Sequence, residues 1–484
     1  MQLRRDALRQ KIAALGQTGR FDAALLDRFE QILASASDWD LRRINPLQFA
    51  AQHSIDEHTT VDLFVHAAKV GLLDFEWGTI CPMCGSVEYQ HKAIHQLDPE
   101  AFHCTVCDMN VSTELDGQIE VAFTVNPSVA TLELDPYADM ESYKRYFRSP
   151  NYVASQALEQ ALVDEAVLAF EVIVPDRTAR LRFEAAPNTL YRVLSLDKHV
   201  ALHIHVGEQV SAVPQALEVD ILPNGFAPVQ LDVPAGAITL HLHNWQLTQI
   251  GLLLVHMETS RIESLMAAHP PQLTPFFTGQ RLLNTQSFRE LFRIQELPDN
   301  LRLKVGNLTV LFTDLKDSTL LYSRTGDVTA YRLVQRHFDA LTEVTRAHGG
   351  AIVKTLGDAV MATFSAPQDG VAAALAMIEA VEKLNTEIAD AENRLHLKVG
   401  LHAGSALVVK ANEILDYFGQ TVNIAARAQS LADVDEIWLT EDVYRQEPVR
   451  AALEQAGYRA EKQSALLRGV SERVMVYKCA RPSA

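Results

Sequence analysis

Apolar residues recur at helical spacing through the first part of the chain. Phe21, Leu25, Phe29, Ile32 and Leu33 fall on one face of a 3.6-residue period, and a second series runs through Val61, Leu63, Phe64, Ala67, Val70 and Leu73. Ser54, followed three residues later by Glu57, fits a capping box at the start of that second series. Residues 1–78 are therefore predicted to be helical. Residues 79–135 hold a cysteine-bearing segment and then a strand-like run from Gln118 to Thr124. Between 136 and 260 the period changes to two, in runs such as Val167–Val174, Ala179–Phe183, His199–His205 and Ile238–His243, with turn signals at Pro223-Asn-Gly and Pro234-Ala-Gly. Short strands with regular turns predict a β-rich, sandwich-like domain. Residues 261–306 read as a connector: Pro270, Pro271 and Pro275 break it early, and Phe288, Leu291 and Phe292 then form a short amphipathic helix. From 307 to 484 strand and helix patterns alternate, as in an α/β domain.

Length and composition agree with several folded domains. The 484 residues are 48% hydrophobic and 21% charged, an ordinary globular balance. The formal net charge of −18 argues against a nucleic-acid partner or an anionic membrane surface, both of which need clustered Lys and Arg. No run approaches the ~18 consecutive apolar residues of a membrane span, and the first residues lack a signal-peptide pattern. The expectation is a cytoplasmic protein without a membrane partner.

The chemistry concentrates in the last domain. Leu308-Thr-Val-Leu-Phe-Thr313 is a buried strand by composition and delivers Asp314 at its end, before the polar turn Lys316-Asp-Ser-Thr319 and a helix whose first N–H groups are suited to phosphate. Ala351–Phe364 reads as a hairpin with Gly357-Asp358 at its tip. Two carboxylates at adjacent strand ends can share hard cations such as Mg²⁺, although either Asp alone also fits an ordinary turn. Asp416 lies seven residues before Asn423, and Asn423 and Arg427, four apart, share one face of a helix.

Together these stretches resemble the catalytic domain of class III adenylate/guanylate cyclases, over roughly residues 305–480. The resemblance implies the family's ferredoxin-like fold and assigns roles residue by residue. Asp314 and Asp358, with the backbone carbonyl of Leu315, hold two Mg²⁺ or Mn²⁺ ions. Lys354 and Asp416 read the purine, and Asn423 and Arg427 act at the transition state. Arg468, before Gly469, is the counterpart of a basic residue that contacts the outer phosphates, although an Arg before Gly is also an ordinary surface residue. The implied reaction converts ATP to cyclic AMP and pyrophosphate. A Lys donor beside an Asp acceptor matches adenine rather than guanine. The implied assembly is a head-to-tail homodimer, because in this family the metal pair and the other four residues come from different subunits. One departure is visible: where many bacterial members have Gly before the Ser-Thr of the phosphate turn, this chain has Asp317. The alternative is a non-catalytic or weakly active cyclase-fold regulator acting through protein or DNA contacts; retention of all six residues argues for the enzyme.

Cys81-Pro-Met-Cys84 and Cys104-Thr-Val-Cys107 form two Cys-x-x-Cys knuckles with the spacing of a structural, tetrahedral Zn²⁺ site in a zinc-ribbon-like segment. His91, His95 and His103 are alternative ligands that read more simply as surface residues. The preceding helices resemble a helix-turn-helix or winged-helix unit. His199, His203, His205, His241 and His243 occupy strand positions and read as ordinary strand histidines, with a transition-metal site as the alternative. The N-terminal arrangement as a whole resembles an uncharacterised region that precedes cyclase domains in some bacterial proteins. Its implied role is to bind a small-molecule or protein effector and adjust catalytic-domain pairing through the connector.

Overall fold

The computed structural model describes residues 2–91, 101–112, 114–256, 259–292, 303–388, 390–411, 414–470 and 473–482. The chain opens with helices α1 (Arg5–Gly16), α2 (Ala23–Ser35), α3 (Pro46–His53) and α4 (Glu57–Lys69). Polar caps start three of them: the Asp22, Asn45 and Asp56 side chains accept from Leu25, Leu47 and Thr59 N–H. The capping box expected at Ser54 is displaced by two residues. Ser54 ends α3 in the left-handed region, and Asp56 caps α4. Phe29, Phe49 and Phe64 pack edge to face, and Phe64 meets Phe123 at 5.2 Å. Val61 and Thr60 through Ala67 bury α4 on most sides, with only Asp62 half-buried among them. A helix so covered has no free face to enter a DNA groove.

Strand β1 (Leu73–Ile80) pairs antiparallel with β2 (Val87–His91) and β5 (Ile119–Val125), forming the sheet beneath these helices; β3 (Ala101–Cys104) and β4 (Met109–Ser112) form a hairpin beside it. Helix α5 (Met140–Phe147) leads to the β-rich region, β6 (Val167–Ile173), β7 (Thr178–Ala185), β8 (Leu190–Ser195), β9 (Val200–Val210), β10 (Gln215–Leu222), β11 (Gly225–Ala227), β12 (Gln230–Asn244) and β13 (Ile250–His256). The long β12 belongs to two sheets. Its first part pairs parallel with β9, and its second part pairs with β7 and β10. The change occurs at Gly236, whose φ of +126° and approach to the Ser211 carbonyl exclude a side chain. Mixed pairing, parallel and antiparallel, results. Alternation of the strands sends Val193, Leu202 and Ile204 from one sheet against Leu181, Val219 and Leu240 from the other.

Helices α6 (Thr259–Ala268), α7 (Gly279–Leu283) and α8 (Gln286–Leu291) precede the last domain. That domain contains β14 (Leu303–Leu315), α9 (Ser318–Thr325), α10 (Asp327–Ala347), β15 (Ala351–Leu356), β16 (Ala359–Phe364), α11 (Pro367–Asn385), β17 (Leu397–Ala411), β18 (Ile414–Phe418), α12 (Gln420–Gln429), β19 (Ile437–Thr440), α13 (Glu447–Gln455), β20 (Arg459–Leu466) and β21 (Arg473–Ala480). Its strands run in the order β15-β16-β14-β17-β19-β21-β20, and β18 folds back on the end of β17. Strand β14 is antiparallel to both neighbours. Its odd positions, such as Leu311 and Leu315, face α10 and α11, while Leu308, Val310 and Phe312 face the other way. That second face is covered by the N-terminal region. One core runs from Leu8, Phe64 and Phe123 through Leu282, Leu283 and Phe288 to Val310, Phe312, Met361 and Val408. Among the described residues no helix is long and apolar enough to cross a membrane.

Candidate functional site

Asp314 lies near the end of the central strand β14, opposite Lys398 of β17 in the ladder. Asp358 lies in the tight turn between β15 and β16, where Gly357 supplies the left-handed residue. The Leu315 N–H donates to Asp358 Oδ2 at 3.3 Å, which binds the hairpin tip to the end of β14. Partial burial, and then the negative charge of Asp358, push the Asp314 carboxyl above its ordinary range; Lys398 Nζ, 3.7 Å from Asp314 Oδ2, opposes this. Two crowded carboxylates beside the Leu315 backbone are a hard-oxygen donor set that fits Mg²⁺ or Mn²⁺. Lys398 escaped the sequence reading. Only the β14–β17 register places it beside Asp314, and the sole hint was its polar position within a run of apolar alternation.

The turn before α9 follows. Asp317 adopts φ +55°, ψ +32° in front of α9, is exposed and makes no side-chain cap. Glycine serves this backbone freely, and Asp is among the few other residues that tolerate it. The departure from Gly thus keeps the turn.

Lys354 and Asp416 come together. Lys354 Nζ and Asp416 Oδ2 are 2.5 Å apart and largely shielded, and Asp416 Oδ1 also accepts the Tyr417 N–H. Helix α12 buries Ile424, Ala425 and Ala428 and leaves Asn423 and Arg427 exposed one turn apart. It can lie so close to β17 because position 400 is glycine; a Cβ there would sit 2.1 Å from the Gln429 nitrogen. Neither a hydrogen bond nor an ion pair among the described residues joins Asn423 or Arg427 to any side chain, or links the Lys354–Asp416 couple to the Asp314–Asp358 pair. On one chain, the direct polar contacts among the described residues thus join Lys354 to Asp416 and Asp358 to the end of β14, and tie neither Asn423 nor Arg427 to them. Arg468 is exposed in the turn between β20 and β21, beside Gly469, and no hydrogen bond or ion pair among the described residues joins it to either group. A cavity of about 490 Å³ lies elsewhere, between α2, α3 and Arg145, and is lined by none of these residues.

The four knuckle cysteines do converge. Their sulfurs lie within 4.8 Å of one another, with Cys81–Cys107 at 3.8 Å and Cys84–Cys104 at 3.6 Å. A tetrahedral ion with Zn–S bonds of ~2.3 Å sets its sulfurs ~3.8 Å apart. Each knuckle is followed by a left-handed residue, Gly85 and Asp108. Hydrogen bonding from Cys107 drives the Cys104 thiol well below its ordinary range, while Cys104 pushes Cys107 well above it. The Arg148 Nε donates to the Cys84 carbonyl, and Arg192 donates to the Thr105 and Val106 carbonyls. His103 pairs with Asp108 and Asn110 outside the cluster, the side chain of His91 lies outside the described residues, and so does His95. Among the described residues no other group of this kind is present. His241 and His243 instead meet Glu218 and Asp176, and His203 faces Asp108.

Comparison with known proteins follows this division. Residues 6–290 match a family of unknown function (DUF5939), and residues 302–477 match the adenylate and guanylate cyclase catalytic domain. The chain is similar to adenylate cyclase 1 of Rhizobium meliloti, with 32% identity over 26% of this chain and 20% of that protein. It is also similar to an adenylate cyclase of Streptomyces coelicolor, with 27% identity over 48% of this chain and 59% of that one. The chain thus spans about a fifth to three fifths of the length of these curated relatives. The adenylyl cyclase CyaB from P. aeruginosa aligns in structure with 22% identity and a TM-score of 0.32, over 38% of this chain and 97% of that one.

Proposed function

From a chain that belongs to the DUF5939 family through residues 6–290 and carries a class III cyclase catalytic domain at 302–477, we propose an adenylate cyclase acting as a homodimer under the control of its N-terminal region. The ATP 3′-oxygen bonds to the α-phosphorus, the bond from that phosphorus to the bridging oxygen breaks, pyrophosphate leaves with the electron pair, and the 3′-proton passes to solvent. The carrying observation is the Lys354–Asp416 couple, a donor and an acceptor side by side. Lys354 suits the ring acceptor N1 of adenine, and Asp416 the amine at C6. Guanine offers a carbonyl and an N–H instead and leaves both residues mismatched.

Asp314, Asp358 and the Leu315 carbonyl are the ligands for two Mg²⁺ or Mn²⁺ ions. Such ions acidify the 3′-hydroxyl and neutralise the departing pyrophosphate. Partial burial of the Asp314 carboxyl, and then the negative charge of Asp358 beside it, raise it above its ordinary range, and a cation there would relieve both. Arg427 meets charge gathering on the α-phosphate, and Asn423 orients the ribose. Arg468 reaches the outer phosphates. The exposure of Asn423 and Arg427, together with Phe418 at 70% and Leu356 at 52% exposed, supports a second copy of the chain facing this surface. Head-to-tail pairing then sets each Asp314–Asp358 pair against the other chain's Lys354, Asp416, Asn423 and Arg427. The thiol cluster holds a structural Zn²⁺, because four sulfur ligands leave no open position for chemistry.

Full-length protein incubated with Mg²⁺ or Mn²⁺ and each nucleoside triphosphate, with cyclic products identified by mass spectrometry, is expected to yield cyclic AMP. Asp314→Ala should lower the rate by at least ~10²–10³-fold and leave self-association intact. Absence of any cyclic product, or cyclic GMP as the main one, would sink the reading. Lys354→Glu with Asp416→Cys should move preference toward GTP.

A further inference from the structure

The two residues that face the base stand on strands that share no ladder. Strand β15, carrying Lys354, is the edge of the sheet and pairs with β16; β18, carrying Asp416, pairs with β17. No backbone hydrogen bond fixes the one strand against the other, so the spacing of the Lys354 amine and the Asp416 carboxylate needs a brace from outside the sheet. Helices α7 and α8, the last elements of the N-terminal region, stand where such a brace is required.

Gln286 reaches the edge strand. Its Oε1 accepts the Ile352 N–H at 2.8 Å, two residues before Lys354, and its Nε2 donates to Glu290. Arg289 reaches the other strand. Its Nε donates to the Leu283 carbonyl at 2.7 Å, which fixes the guanidinium on its own helical unit, and its Nη1 donates to the Leu415 carbonyl at 2.9 Å, the residue before Asp416. The same guanidinium lies over the ring of Tyr417, the residue after Asp416. Tyr417 in turn donates to Asn284 Oδ1 at 3.0 Å, and Asn284, fully buried, also accepts from Thr363 and donates to Ser365. Asp416 is thus bracketed on both sides by contacts to residues 284–289. The other side of the connector is seated on the N-terminal unit: Phe288 and Phe292 pack on Phe75, Lys69 Nζ donates to the Leu291 carbonyl, and the Gln280 N–H donates to the Leu115 carbonyl.

We propose that Gln286 and Arg289 are positioning residues for base recognition, holding the Lys354 and Asp416 strands at the separation adenine requires and giving the N-terminal region direct mechanical access to substrate choice. The inference rests on the cyclase reading and deepens it. It places the control of this chain on the nucleotide-recognition half of the site, through 284–289, rather than on the Asp314–Asp358 pair, to which these residues make no hydrogen bond.

The test uses the full chain and the variants Arg289→Met, Arg289→Lys and Gln286→Met, which keep volume while removing one contact each. Steady-state kinetics are measured with ATP and with GTP, and equilibrium binding of both nucleotides is measured by calorimetry. Arg289→Met and Gln286→Met are expected to raise KM for ATP and lower the ATP-over-GTP ratio of kcat/KM about tenfold, the effect of one hydrogen bond, with a much smaller change in kcat. Arg289→Lys, which keeps a donor for the Leu415 carbonyl, should recover part of the ratio. Should Arg289→Met not fold, Gln286→Met on the opposite strand decides the matter. An unchanged ratio and unchanged ATP affinity in folded variants overturn the proposal, as does a fall in kcat alone. Failure of the cyclase reading is recognised separately, by a wild-type chain that makes no cyclic product; the binding ratios still report on the positioning in that case.

Discussion

Asp317 stands where a glycine would serve, and its left-handed backbone explains both the usual residue and the tolerated exception. Lys398 is the counterweight on Asp314, one cation beside two carboxylates. His337 is a different kind of residue. It is fully buried on α10, both ring nitrogens are without partners among the described residues, and burial holds its pKa at about 4. The unfolded chain protonates this ring near pH 6.5, the folded one near 4. Between those values the unfolded state binds more protons, so the stability present above pH 6.5 is lost as the pH falls toward 4, by about 3 kcal/mol for a shift of this size. His337→Leu should therefore melt with a flatter acid limb between pH 6.5 and 4 than the wild type, read by calorimetry; parallel limbs would mean the ring is hydrated or paired in solution. The candidate residues at strand ends and turns were legible because strand period and turn chemistry announce such positions. Lys398 and Arg289 were not. The first takes its meaning from ladder register, and the second from a contact with a carbonyl 126 positions away.

Among the elements, the thiol hairpin is the one that the proposed Zn²⁺ would steady most. Strands β3 and β4 are four residues each, short of what a free hairpin needs. The hairpin is held by the sulfurs and by Arg192 reaching from the β-rich domain. Purified full-length protein is expected to carry one Zn²⁺ per chain by elemental analysis. Chelation, or Cys104→Ser, should raise amide exchange in 101–112 far more than in the helices α1–α4, because few core contacts leave this hairpin. A metal-free preparation with the same exchange pattern as the wild type would remove zinc from the account. Cysteine spacing pointed from the sequence alone to the convergence of the four thiols. The bend of β12 at Gly236 was read only as a turn signal, since a strand that leaves one sheet for another keeps the same alternation on both sides of the bend. The cap at Asp56 was misplaced by two residues because Ser54 and Asp56 are both good caps, and the choice follows from where α3 ends.

At the scale of the molecule, the segment read as a connector shares one core with the regions on both sides of it. Phe277, Leu282, Leu283 and Phe288 share one apolar cluster with Phe64 and Phe123 on one side and with Val310, Phe312, Val353 and Tyr417 on the other. The composition of Leu308–Thr313 marked a buried strand, but not what covers its second face. Polar contacts reinforce the seam: Asp116 accepts the Gly306 and Asn307 N–H groups, and Arg281 pairs with Glu57. Removing residues 1–300 uncovers this face, at roughly 1.5–3 kcal/mol for each large side chain fully returned to water. The truncated chain should bind a hydrophobic dye, melt well below the full-length protein and, if it remains soluble, turn over ATP with an altered KM, since the braces on the Lys354 and Asp416 strands are gone as well. Joint loss of stability and ATP affinity follows only if the N-terminal region serves as part of the catalytic scaffold. A monodisperse, dye-free fragment with unchanged kinetics would show that region to be a passive neighbour.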